Sequence, residues 1–391
     1  MITVSEALGH LFALAAPLET ETVPLSQANG RVLARSVKAN RNQPPFDGSA
    51  MDGYAVIADE VTPGATFEVI GEAAAGHGFD GALSPGKAVR IFTGAPVPEG
   101  ATRVVIQEDV SRDGDRITLG DTIDRGFHIR PAGADFTEGQ DFTAPRLLRP
   151  SDIALLAAMN IAEVPVTRRP RVAIMSTGDE LVMPGETPGP DQIIASNSFG
   201  LQAMLRDLGA EARLLPIARD TRQSLETAFS LTEDADLVLT IGGASVGDHD
   251  LVGEVAADLG MERSFYKILM RPGKPLMAGR LASGAMMMGL PGNPVSAMVC
   301  GHVFVTPVIR AMLGLGVAPA PESSATLAAP VGANGPRLHF MRAHVANGRI
   351  TIYDNQDSSL LTVLSNANAL AIRPPNDAAR SAGETLSYLP I

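Results

Sequence analysis

Residues 236 to 250 read DLVLTIGGASVGDHD, an apolar run followed by a turn with three glycines, a serine and two aspartates. A short apolar run without polar alternation is typical of a strand buried on both faces of a parallel sheet. A glycine-rich turn after such a strand commonly presents backbone N–H groups to an anion. Carboxylates repel anions, so the aspartates that end the turn indicate a further partner, such as a cation.

The segments around this stretch alternate between strand and helix. Strand-like runs are followed by helical ones, in the order RVAIMS, SFGLQAMLRDLG, EARLLPI, RQSLETAFSLTE, DLVLTI, LVGEVAADLG, KPLMAGRL, AMMMGL and PVSAMVCGHVFVTPVIRAMLG. Strands that are apolar throughout and alternate with helices predict a parallel sheet covered on both faces. We therefore expect a doubly wound α/β domain over residues 171–316.

The regions outside this domain have a different pattern. Residues 39–139 carry short β-like runs (ATFEVI, KAVRIF, TRVVIQ and RITLG) separated by Gly, Pro and Asp, which predicts an irregular inserted β domain. VSEALGHLFALAA and SQANGRVLA predict helices, and RPSDIALLAAMNIAEV predicts another with Ser151 as its N-cap. Residues 1–38 and 140–170 would form a discontinuous, helical N-terminal domain. RLHFMRAHV, RITIYD and ALAIRPP predict a small C-terminal β domain over 317–391.

The composition excludes several classes of protein. The chain of 391 residues has a net charge of -12, which disfavours nucleic-acid binding because the basic field that phosphate backbones need is missing. Its one cysteine, Cys300, excludes an intramolecular disulfide framework and a cysteine zinc cluster. The N-terminus lacks the basic region of a signal peptide, and no uncharged apolar run approaches roughly 18 residues. We expect a soluble cytoplasmic protein with no membrane partner.

Three loops follow strands of the predicted sheet, where open α/β sheets bind their ligands. STGDEL carries Glu180, and GLPGNPVS starts a helix with Asn293 at the N-cap and Pro294 in the first turn. The third loop is GGASVGDHD. One such loop alone is usually an ordinary turn or cap, but three at one sheet edge predict a binding site. The predicted anion-binding residues of the last two loops are Gly242, Gly243, Ser245, Gly247, Pro291, Asn293 and Pro294.

Charged residues of both signs surround these loops. Magnesium is typically held by one or two carboxylates and substrate oxygens, so Glu180 and Asp250 are the candidate metal ligands. Taken alone, Asp250 fits a solvated loop carboxylate equally well. KILMRPGKPL places Lys267, Arg271 and Lys274 around a Pro-Gly turn, and three cations in an acidic chain suit an anionic substrate.

Motifs from the whole chain together resemble one family. PPFDGSAMDGYAV, IFTGAPVPEGA, STGDEL, GGASVGDHD, PGKP and GLPGNPVSA occur in the order and approximate spacing of the MoeA family. That family comprises the molybdopterin molybdenumtransferases and is related to the E domain of gephyrin. The resemblance covers essentially the full length of the chain.

The resemblance implies an elongated homodimer of four-domain chains, with the α/β domain binding molybdopterin. It implies insertion of molybdate into adenylylated molybdopterin, with magnesium-dependent release of AMP to form molybdenum cofactor. It also implies transient contact with a molybdopterin adenylyltransferase and with molybdoenzyme chaperones. In the family dimer, the β domain of one chain faces the α/β domain of the other, so each active site would be composite.

The family's site residues can be carried over one by one. Its acidic catalytic residues fall on Asp52, Asp135, Glu180, Asp220 and Asp250, and Thr93 of IFTGAPVPEGA joins the substrate-binding set. Its basic residues fall on Lys267, Arg271 and Lys274. Many relatives have lysine where this chain has Arg271. Arginine keeps the charge but does not give up a proton near neutral pH, so anion binding is the role expected there.

Two other functions stay open at this point. The α/β domain also resembles the molybdopterin adenylyltransferases, which carry a similar Gly-Gly loop but commonly consist of that domain alone. A scaffold is the alternative from another class, since gephyrin relatives cluster receptors, although this chain has no long disordered linker. Molybdate and tungstate are nearly equal in size and charge, so the preferred oxyanion does not follow from the residues.

Overall fold

The computed structural model describes residues 1–242 and 251–391. They form two compact units. One consists of Met1–Glu21, Gly30–Ala34 and Val166–Ile391, and the other of Thr22–Asn29 and Arg35–Pro165. The chain passes between the units within strands β1 (Thr20–Pro24) and β14 (Glu163–Thr167), and also on either side of the short segment Gly30–Ala34.

The smaller unit is built mainly from short strands. Those between β1 and β14 are β2 Val32–Leu33, β3 Val37–Lys38, β4 Gly48–Ser49, β5 Gly53–Val56, β6 Thr66–Ala73, β7 Lys87–Ile91, β8 Arg103–Ile106, β9 Val110–Asp113, β10 Arg116–Leu119, β11 Ile129–Arg130, β12 Asp141–Phe142 and β13 Arg146–Leu147, of which β2 belongs to the larger unit. Six strands make one sheet in the order β8-β5-β7-β6-β10-β9. The predicted β runs ATFEVI, KAVRIF, TRVVIQ and RITLG correspond to β6, β7, β8 and β10.

Both faces of this sheet are covered. In β5, Tyr54 and Val56 pack into one apolar cluster and Ala55 packs into the other, because successive side chains of a strand point to opposite faces. The strand is therefore buried along its length and has little freedom to shift register.

The larger unit contains the doubly wound sheet. The strands over residues 171–290 are β15 Arg171–Ser176, β16 Leu181–Val182, β17 Ile193–Ile194, β18 Glu211–Leu214, β19 Leu237–Ile241, β20 Glu262–Tyr266, β21 Met270–Arg271, β22 Met277–Arg280 and β23 Met286–Leu290. Of these, β16 and β17 pair with each other and β21 lies outside the doubly wound sheet. The sheet order is β18-β15-β19-β23-β22-β20, in which the first four strands are parallel and β22 runs antiparallel to both of its neighbours. The predicted fold class is confirmed, with an antiparallel edge that the apolar pattern did not indicate.

Helices cover both faces of that sheet. The helices of the chain are α1 Val4–Leu14, α2 Pro150–Ala158, α3 Asn197–Asp207, α4 Arg222–Ser230, α5 Leu251–Asp258, α6 Pro294–Cys300, α7 Thr306–Met312 and α8 Leu361–Ser365. In β19, Leu237 and Leu239 pack on the side of α3, α6 and α7, whereas Val238 packs on the side of α4 and α5. This alternation explains why the strand is buried at every position and is apolar except at Thr240.

The last part of the chain forms a small barrel. Its strands are β24 Ser323–Leu327, β25 Leu338–Ala346, β26 Arg349–Ile352, β27 Ala369–Arg373 and β28 Thr385–Pro390. The pairing order β25-β26-β24-β28-β27 closes because β27 also pairs with β25. Strand β21 of the preceding domain adds to this sheet by pairing in parallel with β25. Closure leaves these five strands without a free edge among themselves, which protects them from pairing with other chains.

Two local predictions in the N-terminal region are wrong. SQANGRVLA is not a helix: Leu25–Gln27 forms a single 3₁₀ turn and Val32–Leu33 is β2, where Leu33 pairs with Val166. Ser151 does not cap α2, because the N-cap is Arg149 and the Asp152 carboxylate accepts the Arg149 N–H at 2.9 Å. An aspartate in the third helical position thus replaces the expected serine cap.

Helices α6 and α7 continue each other through a π-helical turn at Gly301–Val305. The resulting segment Pro294–Met312 is long and apolar enough to cross a membrane by length and composition, but 78% of its most apolar window is buried within the protein. It packs among α1, α3 and the parallel strands, so its apolar character is that of a core helix.

Candidate active site

The loop after β15 is held in place by Arg219. The Arg219 Nη1 group donates hydrogen bonds to the backbone oxygens of Asp179, at 3.0 Å, and Leu181, at 3.1 Å. The Asp220 N–H donates to Asp179 Oδ1 at 3.2 Å. These bonds join the loop that carries Glu180 to the loop that follows β18. Glu180 and Asp220 therefore line one cavity, although they are separated by 39 residues in the sequence.

The loops after β19 and β23 meet at the same edge. Gly242 has a φ of +93°, and a Cβ at this residue would lie 2.7 Å from the Thr177 carbonyl oxygen. A Cβ at Gly292 would lie 3.6 Å from the Gly242 Cα. A side chain at position 242 would thus collide with backbone, which requires glycine there. The predicted residues Gly243, Ser245, Gly247 and Asp250 lie outside the residues that the structure describes.

The start of α6 is bonded to the barrel. Asn293 occupies the N-cap position with Pro294 after it, as predicted, but its side chain makes no capping bond. Instead, Asn293 Nδ2 donates to Ser358 Oγ at 3.1 Å, and the Val295 N–H donates to the Ser358 carbonyl oxygen at 3.1 Å. The barrel segment 356–359 therefore forms part of the cavity wall, next to the loop after β23.

A buried arginine supports that segment. Arg342 of β25 is 0% exposed, and its Nη2 group donates to the carbonyl oxygens of Asn355, at 3.1 Å, and Asp357, at 3.0 Å. The Gln356 side chain pairs with the Arg342 backbone, accepting its N–H at 2.9 Å and donating to its carbonyl at 3.0 Å. These bonds determine the path of the segment that reaches the cavity.

The predicted cations lie in two places. Arg271 and Lys274 line the cavity, together with Arg337 of the barrel. Lys267 is not among its lining residues; the Lys267 ammonium lies 4.8 Å from the centre of the Tyr266 ring. Of the three predicted basic residues, the structure thus brings two to the cavity.

The cavity has a volume of about 1270 Å³, large enough for a nucleotide-sized ligand. Its wall combines the carboxylates of Glu180 and Asp220 with the cations of Arg271 and Lys274, and Pro291, Asn293 and Pro294 border it. Sequence reasoning did not find Arg337, Ser358 and Ser359. The polar run NQDSS after β26 was the local signal for Ser358 and Ser359, and Arg337 had none, because its approach to the α/β domain depends on the pairing of β21 with β25.

Guanidinium groups surround the buried His339 beside this wall. His339 is 6% exposed, and burial together with the charges of Arg271, Arg342, Arg337 and Arg373 lowers the pKa of its imidazole to about 4. The ring is therefore neutral at physiological pH, and the positive charge of this region resides on the arginines.

The smaller unit carries the other predicted carboxylates. Asp52 Oδ1 accepts both the N–H and the hydroxyl of Thr93, each at 2.7 Å. These two bonds and the nearby Arg90 charge lower the pKa of the Asp52 carboxyl, which stays ionised. Asp135 is exposed, and its N–H donates to the Gln43 carbonyl at 2.9 Å. Within this unit, the structure brings the predicted residues Thr93 and Asp52 into direct contact.

The carboxylates do not form a preassembled metal cage in the part of the chain that is described. No group of three or more His, Cys, Asp or Glu side chains is close enough to hold a metal ion among residues 1–242 and 251–391. Glu180 and Asp220 supply hard oxygen donors to the cavity wall. Magnesium usually takes only one or two protein carboxylates and completes its shell with substrate oxygens and water, so this donor set fits it.

Fold and cavity together define a multidomain α/β protein with a large, polar cavity at the carboxyl edge of its sheet. Three family models match consecutive stretches: the MoeA N-terminal region (domain I and II) over residues 2–160, a probable molybdopterin binding domain over 173–311, and the MoeA C-terminal region (domain IV) over 324–391. The chain belongs to the MoeA family.

Individual relatives agree with the family models. A molybdopterin molybdenumtransferase of Nostoc sp. is 36% identical over 408 residues, which cover 100% of this chain and 94% of the relative. Molybdopterin molybdenumtransferase 2 of Mycobacterium tuberculosis is 38% identical and covers 93% of each chain. The crystal structure of a molybdopterin biosynthesis MoeA protein from Pyrococcus horikoshii matches with a TM-score of 0.85 and 27% identity, covering 100% of both chains.

Proposed function

We propose that this protein is a molybdopterin molybdenumtransferase of molybdenum cofactor biosynthesis. It inserts molybdate into adenylylated molybdopterin and releases AMP. The observation that carries the proposal is the single cavity that joins two carboxylates, Glu180 and Asp220, to two cations, Arg271 and Lys274, in a chain that matches MoeA throughout.

The cations suit both substrates. Adenylylated molybdopterin carries a phosphoanhydride and molybdate is a tetrahedral oxyanion, so each places negative oxygens in the cavity. Arg271 offers a planar fork to such oxygens, and Lys274 offers a compact charge. We assign Arg271 an anion-binding role, because arginine side chains are poor proton donors. The carboxylates of Glu180 and Asp220 remain as the groups able to accept a proton from water.

The carboxylates would also hold magnesium when it is bound. Glu180 and Asp220 lie on adjoining loops of the cavity wall, and we assign Asp250 to the same set from the family pattern. Magnesium would supply Lewis-acid polarisation of the phosphoanhydride. Glu180 and Asp220 would orient the ion and keep the wall near neutrality while the cations bind the anionic groups.

The proposal extends to the assembly of the protein. We assign four domains, 1–38 with 140–170, 39–139, 171–316 and 317–391, and a cytoplasmic homodimer. Asp52, Thr93 and Asp135 belong to one compact unit and the cavity residues to the other. We propose that each active site takes its carboxylates from both chains of the dimer, and that a molybdopterin adenylyltransferase and molybdoenzyme chaperones bind transiently.

One assay tests the activity. Purified protein is mixed with adenylylated molybdopterin, magnesium and molybdate, and AMP is measured with time. We expect AMP release that requires molybdate and stops when a chelator removes magnesium. ATP consumption with unadenylylated molybdopterin would instead identify an adenylyltransferase. If the protein is folded and the control enzymes are active, but neither reaction occurs, the scaffold function remains and the proposal is contradicted.

A further inference from the structure

The guanidinium group of an arginine near Asp52 contacts two aromatic rings and two hydrogen-bond acceptors. The Arg90 guanidinium carbon lies 4.7 Å from the centre of the Phe92 ring and 5.1 Å from that of the Tyr54 ring. Arg90 Nη1 donates to the Gly53 carbonyl at 3.1 Å, and Nη2 donates to Gln107 Oε1 at 2.6 Å. Two aromatic faces and two acceptors leave the planar group little rotational freedom.

The same contacts determine the position of Asp52. Arg90 bonds the carbonyl of Gly53, the next residue along the chain, and the Gln107 N–H donates to the Asp52 carbonyl at 3.0 Å. Thr93, three residues after Arg90, donates twice to Asp52 Oδ1. Arg90 and Gln107 therefore hold the backbone carbonyls of Asp52 and the next residue, Gly53, and Thr93 holds the Asp52 side chain.

Strand pairing explains why these residues meet. Strand β5 lies between β7 and β8, with Tyr54 opposite Arg90 on one side and opposite Val105 on the other. Arg90 reaches across β5 to Gln107, which follows β8. A lysine could not make this connection, because one ammonium group lacks the planar fork and the stacking surface.

We infer that Arg90 is a positioning residue for Asp52: it ties strands β7, β5 and β8 together at the point where the Asp52 carboxylate leaves the sheet. The expected effect of Arg90 on turnover rests on the proposed function. The expected effect on the position and titration of Asp52 does not depend on that function. Among the described side chains, Arg90 is the charged group that lowers the pKa of Asp52. Glu108 lies beyond Gln107, and its Oε1 atom accepts a hydrogen bond from Gln107 Nε2 at 3.3 Å.

The test uses two variants and one control. Arg90→Met removes charge and fork but keeps much of the apolar stem, and Arg90→Lys keeps the charge alone. Arg112→Met is the matched control, an exposed arginine of the same sheet that bonds only its own turn, at the Gly114 carbonyl. The Asp52 carboxyl is titrated by NMR without substrate, with wild type and Asp52→Asn used for assignment.

We expect Arg90→Met to raise the pKa of Asp52, because a nearby positive charge is lost, and Arg90→Lys to leave it close to that of wild type. Both variants should lower kcat by on the order of ten- to a hundredfold with a smaller change in KM, since a displaced catalytic group reduces turnover. Arg112→Met should change neither. In Arg90→Met, the acid limb of the pH profile should move in the same direction as the titration.

Several outcomes separate the possibilities. If both Arg90 variants lose thermal stability but keep the Asp52 titration, kcat and the pH profile of wild type, Arg90 is structural only and the inference fails. Gln107→Met, which keeps Arg90 and removes one acceptor, replaces any Arg90 variant that does not fold, and it should lower kcat more mildly. If the titration moves while Asp52→Asn retains full AMP release, the Arg90 assignment stands and the proposed role of Asp52 fails.

Discussion

Lys274 illustrates how much one cationic side chain contributes to ligand binding in an acidic protein. It lines the same cavity as Arg271, Glu180 and Asp220. A hydrogen bond between a charged side chain and a ligand contributes roughly 1.5 to 3 kcal/mol to the binding free energy. An exposed ion pair between a lysine and a carboxylate contributes less than about 1 kcal/mol to stability. Position, and not charge alone, should therefore decide which lysines affect binding.

We expect Lys274→Ala to weaken the binding of adenylylated molybdopterin by roughly 1.5 to 3 kcal/mol, or about ten- to a hundredfold, with the loss smaller at high salt. Titration calorimetry measures the affinity. Lys38→Ala is the control, since Lys38 lies on the smaller unit with its side chain 69% exposed. Equal affinities of wild type and Lys274→Ala would remove this residue from the site.

His339 gives the stability of the protein a pH dependence. Its pKa falls from 6.5 in the unfolded chain to about 4 in the folded protein. Between these values the unfolded chain binds a proton that the folded protein does not, so the free energy of unfolding decreases as the pH falls from 6.5 to 4. His302, whose pKa burial also lowers to about 4, acts in the same window.

We expect His339→Gln to reduce this acid destabilisation by on the order of 1 to 3 kcal/mol between pH 7 and pH 4.5, since glutamine cannot bind the proton. Urea unfolding at a series of pH values measures it. His344→Gln, at an exposed position of the same strand, serves as the control. A pH dependence of His339→Gln that parallels wild type would contradict the prediction.

At the scale of elements, strand β5 depends on a close approach of backbones. A Cβ at Gly53 would lie 1.9 Å from the Val105 carbonyl oxygen, so the pairing of β5 with β8 has no room for it. Gly9, in the middle of α1, has nothing within 4 Å of the same position. The two glycines should respond to one substitution in opposite directions.

We expect Gly9→Ala to stabilise the protein by about 0.5 to 1 kcal/mol, because alanine has the higher helix propensity. Gly53→Ala should destabilise it by more than that gain, since strand backbone must move apart, and should lower activity through the neighbouring Asp52. Denaturant unfolding compares the two variants. A Gly53→Ala protein as stable as wild type would show that the strands separate at no cost.

Elements with strong periodicity were predictable from sequence, and those that depend on distant pairing were not. RVAIMS and DLVLTI were recognisable as strands because their central residues are apolar and pack alternately on the two helix layers. Strand β20, ERSFY, is polar and has an irregular register between Arg263 and Phe265, so no period marks it. SQANGRVLA has local helical preference, but pairing of Leu33 with Val166 overrides it.

The candidate site was predictable to a similar degree. Glu180, Asn293 and Pro294 follow apolar strands, and the rule that ligands bind at strand ends selects them. Asp220 required the family resemblance, because PIARDT looks like an ordinary turn. Arg337 and Ser358 reach the cavity only through the pairing of β21 with β25, across a sequence separation of 67 residues between Met270 and Arg337. No local pattern encodes such a contact.

At the scale of the whole molecule, the proposed composite sites predict complementation between damaged subunits. Asp52→Asn damages the smaller unit and Glu180→Gln damages the cavity wall of the larger one. In a mixed dimer, one site would carry both changes and the other neither. With random exchange about half of the dimers would be mixed, so activity should return to roughly a quarter of wild type.

Differently tagged chains, purified in tandem, establish that exchange has occurred. AMP release is then measured for each parent and for the mixture. Activity of the mixture that stays at the level of the two parents, despite confirmed exchange, would show that each site lies within one chain.

Strand β21 joins the barrel to the preceding α/β domain by backbone pairing. It belongs to the chain of the α/β domain, yet its Met270 and Arg271 pair with Leu338 and His339 of the barrel, and Ser358 returns a bond to Asn293. A gene split in the stretch between α7 and β24 would therefore yield two polypeptides that reassociate without a covalent link. Loss of the barrel gene segment, or its replacement by an unrelated one, would instead remove one wall of the cavity, so the two parts must be inherited together.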